Sequence, residues 1–170
     1  MNPTALAVAA VGLAALAAPM LLRPAPVLLW NLTPSAPVGL YWARSPGRLR
    51  LGDYVAAMAP PKTAELFAGR GYLPLGVPLV KRIAALAPAR VCRLGQAIVI
   101  DGRAVALAKV KDAQGRPLPT WRGCEILARS DVFLINAAKD SLDSRYFGPL
   151  SIRRIDARLT PVWIVGAPRP

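Results

Sequence analysis

The sequence predicts a mostly-β body, a barrel or a sandwich with one short helix, behind a single N-terminal transmembrane helix. Three observations predict it. Residues 3–22 carry no charge, and a helix needs about 20 apolar residues to cross a bilayer core. Most of the remaining chain reads as short apolar runs bounded by Gly, Pro and Asp, the pattern of strands and turns. Only one later segment has helical character, so no amphipathic helices are available to cover a sheet, which should then close on itself or on a second sheet.

The first domain is residues 1–23, the anchor. No Lys or Arg precedes its apolar core, and the core is longer than that of a cleaved signal peptide. The alternatives are a cleaved signal ending near AAP (17–19) and a buried helix. The second domain is residues 24–170. RPAPVLLW (23–30) reads as a proline-broken juxtamembrane segment, with Trp30 and Trp42 either at interface depth or in the core. NLTPSAPVGLYW (31–42) sets Ser35 between Pro34 and Pro37, which fix φ and remove backbone donors. Gly39 allows a turn or a close approach. The result is a stiff loop that presents a hydroxyl.

DYVAAMA (53–59) reads as a buried strand, KTAELFAGRGY (62–72) as a helix ended by Gly69 or Gly71, and PLVKRIAAL (78–86) as a strand opened by Pro78. RVCRLG, then QAIVIDGRAVALAKV, reads as three strands with DG (101–102) as hairpin signal. KDAQGRPLPTWRGC (111–124) is a polar loop, DVFLINA (131–137) a strand, and KDSLDSRYFGPL (139–150) a polar loop. Residues 150–155 and 161–166 read as two closing strands.

The charge is +13, from 22 Lys and Arg against 9 Asp and Glu, with mean hydropathy +0.37. The cations are scattered and no recognisable binding motif accompanies them, so no nucleic-acid partner is expected. Anionic headgroups account for such a surface beside a membrane. The positive-inside rule, counted on Arg23, Arg44, Arg48 and Arg50, places the body in the cytoplasm. Cys92 and Cys124, the two cysteines, read either as buried free thiols or as a disulfide. Closing a loop of about 33 residues is worth roughly 3–4 kcal/mol in the chain-entropy model, and a bridge implies an oxidising compartment.

The chain has no histidine, which excludes Ser–His–Asp and Cys–His chemistry. No metal or cofactor motif is present, and none is expected. A hydroxyl nucleophile then needs another base, and a neutral lysine can serve. In an extended PLVKRIAAL, Lys81 shares an apolar face with Leu79 and Ile83, while Arg82 faces the other way. Burial there lowers the lysine pKa; the alternative is a strand-edge lysine that snorkels to water. In SLDSRYFGP, Asp143 and Arg145 share a face if extended and either brace a loop or sit in a solvated turn.

Taken in order, NLTPSAPVGLY, PLVKRIAAL and SLDSRYFGP resemble the conserved boxes of the S26 signal-peptidase clan of Ser–Lys serine proteases. The closer likeness is to its conjugative-transfer branch, the TraF-type peptidases that mature a pilin subunit. The resemblance implies Ser35 as nucleophile and Lys81 as general base. It implies Thr33 as oxyanion-hole support, Ser141 as the serine that orients the lysine, and Asp143 with Arg145 as a bracing pair. It further implies a bent β body with an apolar surface near the membrane, held in the periplasm at the inner membrane. That sets the positive-inside count aside and agrees with a Cys92–Cys124 bridge. General signal peptidases carry Met after the nucleophile and a GDN-type approach to the last box. Here Ala36 and INAAKD stand there, which fits the conjugative branch and a pilin-like substrate. The remaining alternatives are general signal-peptidase activity and a non-catalytic assembly protein of a conjugation or secretion channel.

Overall fold

The computed structural model describes residues 2–22 and 27–166. Helix α1 (Pro3–Leu22) is followed by strands β1 (Leu28–Asn31), β2 (Gly39–Arg44) and β3 (Tyr54–Ala57), then helix α2 (Pro61–Gly69) and β4 (Leu79–Leu86). β5 (Arg90–Leu94), β6 (Ala97–Ile100), β7 (Arg103–Leu107), β8 (Gly123–Ile126) and β9 (Asp131–Leu134) come next. The one-turn helix α3 (Ser144–Phe147), β10 (Leu150–Ser151), a 3₁₀ turn (Ile152–Arg154) and β11 (Ile155–Ile164) close the chain. Part of the expected anchor, Met1 and Arg23, lies outside the described residues. Among the described residues no helix is long and apolar enough to cross a membrane.

The body is mostly β, as the sequence predicts, but its strands form two open sheets. One has the order β1-β2-β11-β3-β4-β9-β10 and the other β7-β6-β5-β8. The seven-stranded sheet bends along β4. Its first half pairs with β3 (Val55 opposite Lys81), and its second half pairs with β9 (Ile83 opposite Leu134). An irregularity between Ile83 and Ala85 bends the strand between the two partners, as an extra unpaired residue does. Buried Val55, Ile83, Val132, Leu134 and Ile155 form the core on this sheet. Ala85, Val91, Ile98, Phe133 and Tyr146 fill the space toward the smaller one.

Four expectations are corrected. The juxtamembrane segment contains β1, which pairs with β2 from Leu28 opposite Trp42 to Asn31 opposite Gly39. β8 begins within the stretch read as loop. The two closing strands at 150–155 and 161–166 are instead β10, a 3₁₀ turn and one ten-residue β11. Proline does not break β11 because the ladder to β3 ends at Leu159, and Pro161 sits at a bulge against β2. A missing donor costs nothing there. The SLDSR segment is no solvated turn: Ser141, Asp143, Ser144 and Arg145 are all buried.

That bulge explains Gly39. Its φ is +155°, and a Cβ there would lie 2.0 Å from the Trp163 carbonyl oxygen. Gly39→Ala is therefore expected to displace β11 from β2. Backbone strain alone costs about 1–3 kcal/mol, so thermal unfolding should show a clear loss of stability.

Candidate active site

Ser35 sits in the turn between β1 and β2, and Asn31 builds that turn. The Asn31 Nδ2 donates to the carbonyls of Thr33 (2.9 Å), Ala36 (3.2 Å) and Pro37 (3.1 Å). Its Oδ1 accepts from the Thr33 N–H (3.2 Å) and the Thr33 hydroxyl (3.0 Å). The Tyr41 hydroxyl donates to the Pro37 carbonyl at 2.7 Å. The prolines fix φ, and one buried side chain satisfies carbonyls that a proline-broken loop leaves without ladder partners. Ser35 is thus held partly exposed, with its Oγ 3.2 Å from Thr33 Oγ1. Its own N–H makes no hydrogen bond among the described residues.

Lys81 approaches from β4. It is 2% exposed, its Nζ donates to Ser141 Oγ at 2.9 Å, and it lies 3.4 Å from Ser35 Oγ. Arg82, its neighbour, is exposed. The snorkelling alternative is excluded, because the side chain is buried and its Nζ is turned inward onto Ser141 Oγ. Burial lowers its pKa to about 8; the Asp143 carboxylate pulls it up and Arg145 pushes it down. About a tenth of the amine is then neutral at pH 7, against well under a thousandth for a free lysine.

Asp143 and Arg145 do not touch Ser35. Asp143 accepts from the Arg145 N–H and the Asn136 N–H, both at 3.1 Å, and lies 3.5 Å from the Arg145 Nε. The guanidinium donates to the carbonyls of Asn136, Ala138 (2.8 Å) and Lys139 (3.3 Å). Burial pushes the Asp143 carboxyl above its ordinary value, against the pull of Arg145 and Lys81. The pair shapes the loop that delivers Ser141. Cys92 and Cys124 lie apart, opposite each other on β5 and β8, and are joined by a disulfide with Cα atoms 4.0 Å apart.

Sequence reasoning missed Asn31, Asn136 and Arg93. Asn136, 3% exposed, uses its carboxamide as a surrogate strand. Its Oδ1 accepts from the Arg82 N–H and its Nδ2 donates to the Val80 carbonyl, both at 2.9 Å. It therefore clamps the backbone on both sides of Lys81, where β9 does not reach. A lone Asn at the end of the apolar run DVFLIN was the available signal. Arg93, buried beside Cys92, donates to the Arg145 carbonyl at 2.5 Å and ties the smaller sheet to the back of the site. Asn136→Ala leaves the partly buried Arg82 N–H and the Val80 carbonyl without these partners, which costs about 1–3 kcal/mol. Water admitted beside Lys81 should move the midpoint of any Lys81-dependent activity above about 8, readable in a pH–rate profile.

Two hydroxyls, a buried amine poised near neutrality and a free N–H around one serine are the parts of acyl transfer without histidine. Comparison with known proteins places the chain in a peptidase family. The model of the family "Signal peptidase, peptidase S26" matches residues 2–164. A probable conjugal transfer protein TraF of Sinorhizobium fredii is 39% identical over 132 residues, 71% of this chain and 68% of the relative. A conjugal transfer protein TraF of Agrobacterium tumefaciens is 37% identical over 131 residues (71% and 73%). A plasmid transfer protein TraF of Escherichia coli is 33% identical over 144 residues (78% and 80%). Among solved structures, a signal peptidase I from Enterococcus faecalis V583 is 17% identical with a TM-score of 0.37, covering 66% of this chain and 97% of that one; at that distance it bears on neither site nor substrate. The chain belongs to the S26 signal peptidase family and is of its TraF type.

Proposed function

We propose that this chain is a membrane-anchored serine endopeptidase that processes an exported pilin-like precursor for conjugative transfer. The observation that carries the reading is the buried Lys81 amine between Ser35 Oγ and Ser141 Oγ, 3.4 and 2.9 Å away.

In this reading the neutral Lys81 Nζ accepts the Ser35 proton as Oγ adds to a peptide carbonyl. Ser141 keeps the amine aimed. The Ser35 N–H donates to the developing oxyanion, and the Thr33 hydroxyl joins it by turning its one proton away from Asn31 Oδ1; each donor is worth about 2.7–4 kcal/mol by analogy with other proteases. Collapse breaks the C–N bond, and the Lys81 ammonium returns its proton to the leaving amine. Water then hydrolyses the acyl-enzyme. If the amine of the same substrate attacks instead, the product is a circular peptide.

The anchor is part of this proposal on the sequence alone, where residues 3–22 carry no charge and have about the length of one span. The exposed Trp30, Trp42 and Trp163 lie on adjoining strands, with Trp30 and Trp163 rings 5.3 Å apart and Arg44 over the Trp42 ring. Such aromatic and cationic groups suit the headgroup layer. The Cys92–Cys124 bridge supports a periplasmic body.

The test is the intact mass of a small exported pilin-like protein co-expressed with this chain. A Ser35-dependent mass drop is expected, and a further loss of one water indicates cyclisation. Equal cleavage of unrelated preproteins favours general signal-peptidase activity. An unchanged mass for every substrate favours a non-catalytic assembly role.

A further inference from the structure

Strand β4 separates two clefts. Successive side chains on a strand point to opposite sides, so Lys81 lines a cleft of about 790 Å³ and Arg82 a larger one of about 1270 Å³. Pro34, Ser35 and Ala138 line both. Ser35 stands where the clefts meet, so a polypeptide held for attack at that hydroxyl runs one way into each.

The two clefts differ in charge. The smaller is lined by one carboxylate, Asp140, and one amine, Lys81. The larger is lined by four cations, Arg82, Lys109, Lys139 and Arg145, and by no carboxylate. Two of these are engaged: Lys109 pairs with Asp140, and the Arg145 guanidinium is spent on loop carbonyls. Arg82 is different. Its Nε donates to the Gly52 carbonyl at 3.1 Å, and its Nη2 packs where a Cβ on Gly52 would come within 3.2 Å. Its Nη1 and Nη2 have no hydrogen-bond partner among the described residues. A guanidinium anchored through one nitrogen keeps donors in a fixed fork, the geometry that grips a carboxylate. Around it the walls are apolar, including Ile83, Leu107 and Ile135.

We propose that the larger cleft receives the substrate segment on one side of the cleaved bond and selects an acidic residue there, with its carboxylate on Arg82 and Lys139 supporting. This rests on the peptidase reading above, and the experiment separates the two. The Ser35→Ala chain is titrated with fluorescent peptides that span one cleavable sequence and carry Glu, Gln or Lys at each position on either side. The wild-type chain is given the same peptides and its products are read by mass.

Glu at positions on one side should bind about 3–10-fold tighter than Gln, as partly exposed ion pairs do. The preference should fade at 0.5 M salt, where the Debye length is about 4 Å. Arg82→Glu should invert it toward Lys, and Lys139→Gln should weaken it. Arg153→Gln removes the same charge from an exposed site outside the cleft and should leave the Glu-to-Gln ratio as it was. Each ratio is internal to one variant, so a general loss of affinity does not mimic the effect. Equal binding of Glu and Gln at every position by the Ser35→Ala chain overturns the proposal. So does an Arg153→Gln effect as large as that of Lys139→Gln, which would mean attraction to the net charge alone. Selective binding without cleavage by the wild type would instead overturn the peptidase reading and leave the cleft's selectivity standing.

Discussion

Ser35→Ala is expected to abolish cleavage while leaving the fold intact. The hydroxyl is partly exposed and its contacts to Thr33 and Lys81 are long, at 3.2 and 3.4 Å. Its removal therefore leaves no buried group newly unpaired: Thr33 keeps Asn31 and Lys81 keeps Ser141. Thermal stability should stay within about 0.5 kcal/mol, as for surface changes away from special features. Activity should fall by about 10⁴–10⁶, the cost of deleting the nucleophile in other serine proteases. Intact-mass assays on a substrate peptide and thermal unfolding of the same samples check both halves. Residual cleavage within tenfold of wild type would assign the chemistry to another residue.

Lys81→Met should lose activity to a similar extent and gain stability. A lysine held at about 8 in the folded chain, against 10.5 unfolded, costs the fold roughly 3 kcal/mol at neutral pH. Below pH 8 both states carry the proton and the full cost remains. Between about 8 and 10.5 the unfolded chain holds a proton that the folded chain has released, so wild-type stability should rise with pH across that window. Methionine fills a similar volume and removes the ionisation. It gives up the bond to Ser141, so the net gain at pH 7 should be about 1–3 kcal/mol. The variant should also lose the rise in stability between pH 8 and 10.5. In the wild type, kcat/KM should climb through a midpoint of about 8, the pKa of the free enzyme's base. The double variant with Ser35→Ala should be no worse than either single change, since the two groups act as a unit.

Much of the site was legible along the chain because its chemistry is local. A serine between two prolines can form only a stiff turn. A lysine alternating with Leu79 and Ile83 is buried if the strand is central. SLDSR places a hydroxyl and an ion pair within five residues. What stayed hidden depends on contacts between distant segments. The carboxamide of Asn136 acts only because β9 stops short of Arg82. Arg93 matters only because the smaller sheet packs behind α3. The bland reading of SLDSR as a solvated turn failed for the same reason: polar residues next to one another in sequence look solvated until backbone groups from elsewhere satisfy them.

The likeness of three ordered boxes gave Ser35 and Lys81 their roles, while residue type and spacing alone determined the mostly-β body, the exclusion of histidine chemistry, the stiff turn at Ser35 and the apolar strand face of Lys81. These follow from φ restriction, strand alternation and the small set of side chains that can act as a base. Tertiary structure alone decided that β11 is one strand, that Gly39 must lack a Cβ, that Cys92 faces Cys124 and that Lys81 is buried. Each of these depends on which segments pack together, and a lysine's pKa is set by the dielectric that surrounds it rather than by its neighbours in sequence.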